Sequence, residues 1–371
     1  MSLRISTLVV AALGAGCATG DLDPAAGDPA TGDVQQAFNQ CPEFMCGTNS
    51  PVIANLGFWE LNLPPAPGVA GLPNNVGLQV LEFMQGVQSY QPKVIGGRLI
   101  ATSSTTTLTG AQLVNGWLRL RLGRRQFKLQ ITDVSTVDSW ALPTSGVPVP
   151  LETYKLDWTE LINGLPGRYL NVCHNIPSRE SSEILTMTGL NIYRTLLFEG
   201  DRIDARKKLD TGVDPSWFNL GCAGSALAKM ALTGHTEASH VTHAFDTTLA
   251  ERQTMLKMLA ADYCGDGTPF TVAGQPLNWR DDRGTMKLTA LMFNPPQPLV
   301  LESRWNENGA VCLDKPRVDV HWTQLGDTTF GPDVYDQVAA WCPQAMPPPC
   351  ADSSFETSGY HLLTATVPYH P

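Results

Sequence analysis

Alternation with a period of two dominates the first half of the chain. In WLRLRL (117–122), Leu118, Leu120 and Leu122 alternate with Arg119 and Arg121. QFKLQI (126–131) repeats the pattern with Phe127, Leu129 and Ile131. The short polar stretch between them makes the pair a β-hairpin. ETYKLDW (152–158) puts Tyr154, Leu156 and Trp158 on one strand face, and the Thr-rich 101–110 fits a strand or extended loop. Several short strands of this kind predict a small sandwich or barrel. Strand-like pattern continues over 190–221, with a turn expected at Glu199–Gly200–Asp201.

The period then changes. CAGSALAKMALTG (222–234) is rich in helix formers and ends at a glycine suited to stopping a helix. A second helix is expected over about 247–263. Thr248 and Glu251 form a capping box at its start, and Leu249, Met255, Leu256, Leu259 and Tyr263 form an apolar stripe. Cys264-Gly265 should end it. LVLESRW (299–305) reads as a strand, and a short helix is expected near 332–341. The class predicted is α+β: a β-rich N-terminal body joined to a disulfide-stapled α+β region with two or three short helices.

The amino terminus has its own pattern. Arg4, an apolar run from Ile5 to Leu13 and small residues before Cys17 follow the plan of a secretory signal. Cys17 stands where a bacterial lipobox would be acylated, although Leu13 is four residues before it rather than three. Ordinary signal cleavage is the alternative. Residues 18–50 are small, acidic and Pro/Gly-rich, and read as a disordered tether. The expected division is a signal at 1–17, a tether at 18–50, a β-rich part at 51–190 and an α+β region at 191–371. The last two were expected to form either separate units or one continuous domain.

Composition narrows the partners. The formal net charge is −10, and losing residues 1–16 removes only Arg4, which leaves 24 basic against 35 acidic residues, or −11. Such a chain repels nucleic acid, so none is expected as a partner. Nine cysteines are present. With Cys17 set aside, Cys41, Cys46, Cys173, Cys222, Cys264, Cys312, Cys342 and Cys350 suit four disulfides better than zinc, because no CxxC occurs. Eight cysteines permit about 105 connectivities. Short separation favours Cys41–Cys46 and Cys342–Cys350. Cys222–Cys264 would then join two helix ends, leaving Cys173 with Cys312.

Three strings resemble a known family: Cys222 to Lys229, then Ala261-Asp262-Tyr263-Cys264 followed by Gly265-Asp266-Gly267, then Leu301 to Trp305 with Gly309 to Cys312. They resemble the ADYC-domain proteins, exported bacterial proteins that include many apparent lipoproteins. The resemblance covers roughly residues 95–315. It implies export, cysteine pairing and domain extent, and it implies no catalytic residue.

Candidate chemistry is sparse. His235, His240 and His243 lie close together with Glu237 and Asp246 nearby, and could hold zinc for a metal-dependent hydrolase. The spacing is not H-E-x-x-H, and a polar loop is the plainer account. Asp262 and Asp266-Gly267 hint at a calcium loop, but Cys264 and Ala273 stand at two ligand positions, so a stapled turn fits better. Arg119, Arg121, Arg124, Arg125 and Lys128 form a candidate anion-binding ribbon, or simply the wet face of a hairpin. The reading favours an exported, lipid-anchored envelope module, at the outer membrane or cell surface, over a secreted form. It binds no cofactor, touches the membrane only through its lipid, and takes an envelope polymer or protein as partner. The zinc hydrolase is the alternative.

Overall fold

In a computed structural model the described residues are 50–141, 147–173, 191–205, 207–243, 245–267, 269–270, 277–282, 300–314, 316, 342, 346–351 and 362–366. The signal, the tether except Ser50, Cys17, Cys41, Cys46 and the helix expected at 332–341 lie outside them.

The body begins with a ribbon of β1 (Val52–Ile53) and β2 (Leu56–Gly57). Next come β3 (Glu60–Asn62), β4 (Leu78–Gln85), β5 (Gln88–Ile95), β6 (Arg98–Thr102) and β7 (Thr107–Thr109). A one-turn 3-10 helix, Gly110–Leu113, leads to the predicted hairpin, β8 (Trp117–Leu122) and β9 (Arg125–Asp138). Its turn is tighter than expected, because Leu122 pairs directly with Arg125 across Gly123-Arg124. Then follow β10 (Pro150–Ile162), β11 (Leu165–Pro166), β12 (Leu170–Asn171), β13 (Arg194–Asp204) and β14 (Leu209–Cys222). These twelve strands, β3 to β14, form one antiparallel sheet in the order β3-β14-β13-β10-β9-β8-β4-β5-β6-β7, with β11 and β12 pairing to β10. β13 and β14 lie beyond residue 190, so the β-rich part and the start of the next region share this sheet.

The sheet curls over itself. Gly96 and Gly97, between β5 and β6, both have positive φ, and their amides donate to the Glu199 carboxylate on β13 at 2.5 and 3.1 Å. Leu99 N donates to the Tyr154 hydroxyl on β10 at 2.8 Å. The alternating side chains meet inside: Val80, Phe83, Leu120, Phe127, Ile131, Tyr154 and Phe218 are all fully or almost fully buried. Period-two patterning thus forms one half-wet sheet whose apolar face is covered by its own far end. The expected turn at Glu199–Asp201 is instead a bulge inside β13, where the register against β14 shifts. Gly200 has φ 97°, and a Cβ there would lie 2.8 Å from Glu237 Cγ, so close approach of another segment, not chain reversal, explains the glycine.

Three helices pack beside this sheet. α1 (Ala226–Thr233) is capped by the Ser225 hydroxyl and stopped by Gly234 in the left-handed region. The four-residue α2 (Ser239–Thr242) follows. α3 (Leu249–Ala260) starts at the predicted Thr248/Glu251 capping box and stops at Ala261, also left-handed. A second sheet lies beyond them, in the order β15 (Leu277–Asp281), β18 (Leu362–Thr366), β16 (Val300–Asn306), β17 (Gly309–Leu313). A separate core gathers Leu227, Met230, Met255, Leu256, Tyr263, Trp279 and Trp305. The α+β class stands.

Candidate functional site

The groups richest in chemistry lie where α3 meets the second sheet. After Ala260 the chain turns through Ala261 (φ 52°), Gly265 (φ 74°) and Gly267 (φ 97°). Gly265 is required there, because an added Cβ would lie 2.0 Å from the Asn308 carbonyl oxygen. Asp262, fully buried, accepts from Lys257 Nζ at 2.5 Å and from Gly267 N at 2.9 Å. Lys257, also buried, donates further to the carbonyls of Gly265 and Lys207 at 2.9 and 3.1 Å. The centre of this turn is therefore filled by an ammonium group from the chain itself, where a calcium loop would hold its ion. Burial raises the Asp262 carboxyl above its ordinary value, and the Lys257 hydrogen bond opposes the shift. Tyr263 stacks on Trp305 at 5.5 Å and donates to Glu302 Oε1 at 2.8 Å, both on β16. Cys264 bonds Cys342, tying the turn to the C-terminal segment.

A second buried ionic group sits one turn earlier on α3. Arg252 is 2% exposed. Its Nε lies 2.7 Å from Asp201 and 3.4 Å from Asp210, and its Nη1 lies 2.9 Å from Glu237 and 2.7 Å from the Thr247 carbonyl. Burial, then the neighbouring Asp210 carboxylate, pushes Asp201 well above its usual range, while Arg252 opposes both. Gln253 adds two bonds, accepting from Asp210 N and donating to the Lys208 carbonyl. Sequence reading missed this cluster, since the apolar stripe of Leu249, Met255, Leu256, Leu259 and Tyr263 assigns Arg252 and Lys257 no role. No local signal marks it, because the burial of α3 from Arg252 to Ala260 is set by segments distant in the chain.

The three histidines do not converge as a zinc ligand set. His235 is buried, its Nδ1 3.1 Å from the Thr233 carbonyl. His243 is buried between Ser139 Oγ (Nε2, 2.7 Å) and Thr242 Oγ1 (Nδ1, 2.6 Å), and burial lowers its pKa to about 4. His240 is exposed and faces the Glu237 carbonyl of its own turn. Among the described residues no three His, Cys, Asp or Glu side chains are grouped to hold a metal. Each ring has a local hydrogen-bond partner instead.

The basic ribbon is mostly engaged. Arg119 bonds Glu82 and Gln126, Arg121 bonds Gln79, and Arg125 forms a two-pronged pair with Glu160. Lys128 lies over the rings of Trp117 and Tyr169. Arg124, at the turn, is exposed. A cavity between β13 and the helices, lined by Gly97, Leu151, Phe198 and Thr242 among others, measures about 10 Å³, room for a single water.

The cysteines pair as Cys173–Cys222, Cys264–Cys342 and Cys312–Cys350. This corrects Cys342–Cys350, Cys222–Cys264 and Cys173–Cys312. Short separation misled because strand pairing, not chain proximity, brings cysteines together. Cys222, at the end of β14, pairs with Thr195 on β13, next to Arg194, whose carbonyl lies 3.8 Å from Cys173 Sγ, and Pro348 O accepts from Leu313 N, setting Cys350 beside Cys312. Three such bridges place the folded chain in an oxidising, extracytoplasmic compartment. Among the described residues no helix is long and apolar enough to cross a membrane.

The turn at 261–267 is locked from three sides. An ADYC domain model matches residues 110–319, more than half of the chain. The chain belongs to the ADYC-domain family. In this ADYC protein the eponymous string joins the helical layer, the second sheet and the C-terminal segment. No curated protein and no solved structure matches the chain.

Proposed function

We propose that this ADYC protein is a lipid-anchored envelope protein that acts as a binding or structural module. The observation that carries the module reading is the use made of its most reactive motif. Asp262, Tyr263 and Cys264 each bond another part of the chain, so the string supports architecture. Cys17, after an apolar run and small residues, supplies the anchor. The membrane in question is the outer membrane or the cell-surface membrane, and the partner is an envelope polymer or protein.

Two measurements test this. Cells expressing the full chain are fed a tagged palmitate analogue. Label is expected in the wild type and lost in Cys17→Ala, which should leave the membrane fraction. An unlabelled wild type sinks the anchor. The unacylated chain is then titrated onto isolated cell envelopes, where saturable retention is expected. Retention that grows without saturating, or none, sinks the binding role.

A further inference from the structure

β10 outruns its neighbour. β13 pairs with it only at Thr153, Tyr154 and Lys155, and beyond Trp158 it pairs with the short returning strand β11. The turn between them is Asn163-Gly164, both with positive φ, the two-residue turn that matches strand twist. Ile162 and Leu165 face each other across it and are 63% and 70% exposed. The Gly123-Arg124 turn lies beside this tip, since Glu160 pairs with Phe127 and its carboxylate holds Arg125. Arg124 and Arg168 are exposed, and among the described residues neither is paired with a carboxylate. The end of the sheet thus shows two aliphatic side chains beside two uncompensated guanidinium groups on a chain of net charge −10.

We propose that this tip, Ile162 and Leu165 with Arg124 and Arg168, docks the folded body onto an anionic lipid surface. Two protruding aliphatic side chains suit the acyl boundary of a bilayer, and the guanidinium groups suit the phosphates above it. A soluble polyanion would use the guanidinium groups but would leave Ile162 and Leu165 in water. The acidic remainder of the chain orients the tip by repulsion from the same surface. The inference rests on the anchored reading. Acylation at Cys17 would hold the tip at high local concentration over the bilayer, so weak affinity suffices.

The test uses the unacylated chain, residues 18–371, so Cys17 chemistry plays no part and the two readings fail separately. It is sedimented with phosphatidylcholine vesicles and with vesicles of equal parts phosphatidylcholine and phosphatidylglycerol. Binding is expected only to the second set, weakened by added salt. Ile162→Ser/Leu165→Ser should lower it by about tenfold or more. Arg124→Gln/Arg168→Gln should lower it similarly and remove most of the salt dependence. All four side chains are solvent-exposed, and unchanged unfolding midpoints check that the variants fold. Equal binding to both vesicle types overturns the proposal, as does binding untouched by the Ile162/Leu165 pair. Self-association through the tip without vesicle binding would assign it to a second copy of the chain instead.

Discussion

The two cores of this protein are built from different material. The sheet body is filled by aliphatic and aromatic side chains at alternating positions, and its ion pairs Arg119–Glu82 and Arg125–Glu160 are partly exposed, although Glu60 and Asp157 are buried in it. The helical layer and second sheet bury Arg252, Lys257, Asp262 and Glu302 among their apolar side chains, with Asp201 of β13 against Arg252, and carry two of the three cystines among the described residues. Burial of apolar area is non-directional and tolerates small shifts. A buried ion pair holds only while its partners stay in place. The body is therefore specified by pattern, and the ADYC region by individual partners.

The sharpest way to break this contrast is to remove one charge from each region. Arg252→Leu leaves Asp201 and Asp210 facing each other in the dark of the core, and should cost about 3–5 kcal/mol in urea unfolding. Arg119→Leu, which loses a half-exposed pair with Glu82, should cost under about 1 kcal/mol. Similar values for the two would erase the distinction.

Covalent locking gives the next test. Cys264→Ser/Cys342→Ser frees a link across 78 residues and should lower stability by about 4 kcal/mol, with proteolysis of the region after 264 accelerating before the body is cut. Simultaneous loss of both regions would show that they unfold as one unit.

The smallest effect concerns protons. His243 has a native pKa of about 4 against an unfolded value near 6.5, because burial disfavours its charged form. Below pH 6.5 the unfolded chain takes up a proton that the native chain refuses. This contribution to stability is present above pH 6.5 and is lost as pH falls towards 4, by up to roughly 3 kcal/mol. Asp201, raised on folding, runs the other way: its contribution is present at low pH and lost as pH rises. Comparing wild type with His243→Gln in urea at pH 7 and 4.5 isolates the histidine. Equal slopes would show that His243 is charged in the fold.

How much could be seen beforehand follows the same division. Leu118, Leu120, Phe127 and Leu129 announce their hairpin because period two is a local property of the chain. Thr248 and Glu251 announce a helix start for the same reason, since capping is completed within three residues. The disulfide partners and the Arg252 cluster were illegible, since their partners come from strands and loops far away in sequence. Asp201 and Arg252 meet only after β13 has paired with β14 and α3 has packed across them. Gly200 shows the limit well. A glycine between two acids reads as a turn, and only the passage of Glu237 over it reveals a bulge.

Two of the cystines are interlaced: Cys264 reaches past Cys312 to Cys342, and Cys312 reaches past Cys342 to Cys350. A single peptide cleavage anywhere between 264 and 350 therefore releases no fragment, because at least one bridge always spans the cut. In an oxidising compartment outside the cytoplasm, where no new copy can be made in place, a nicked molecule would stay whole until its bridges were reduced.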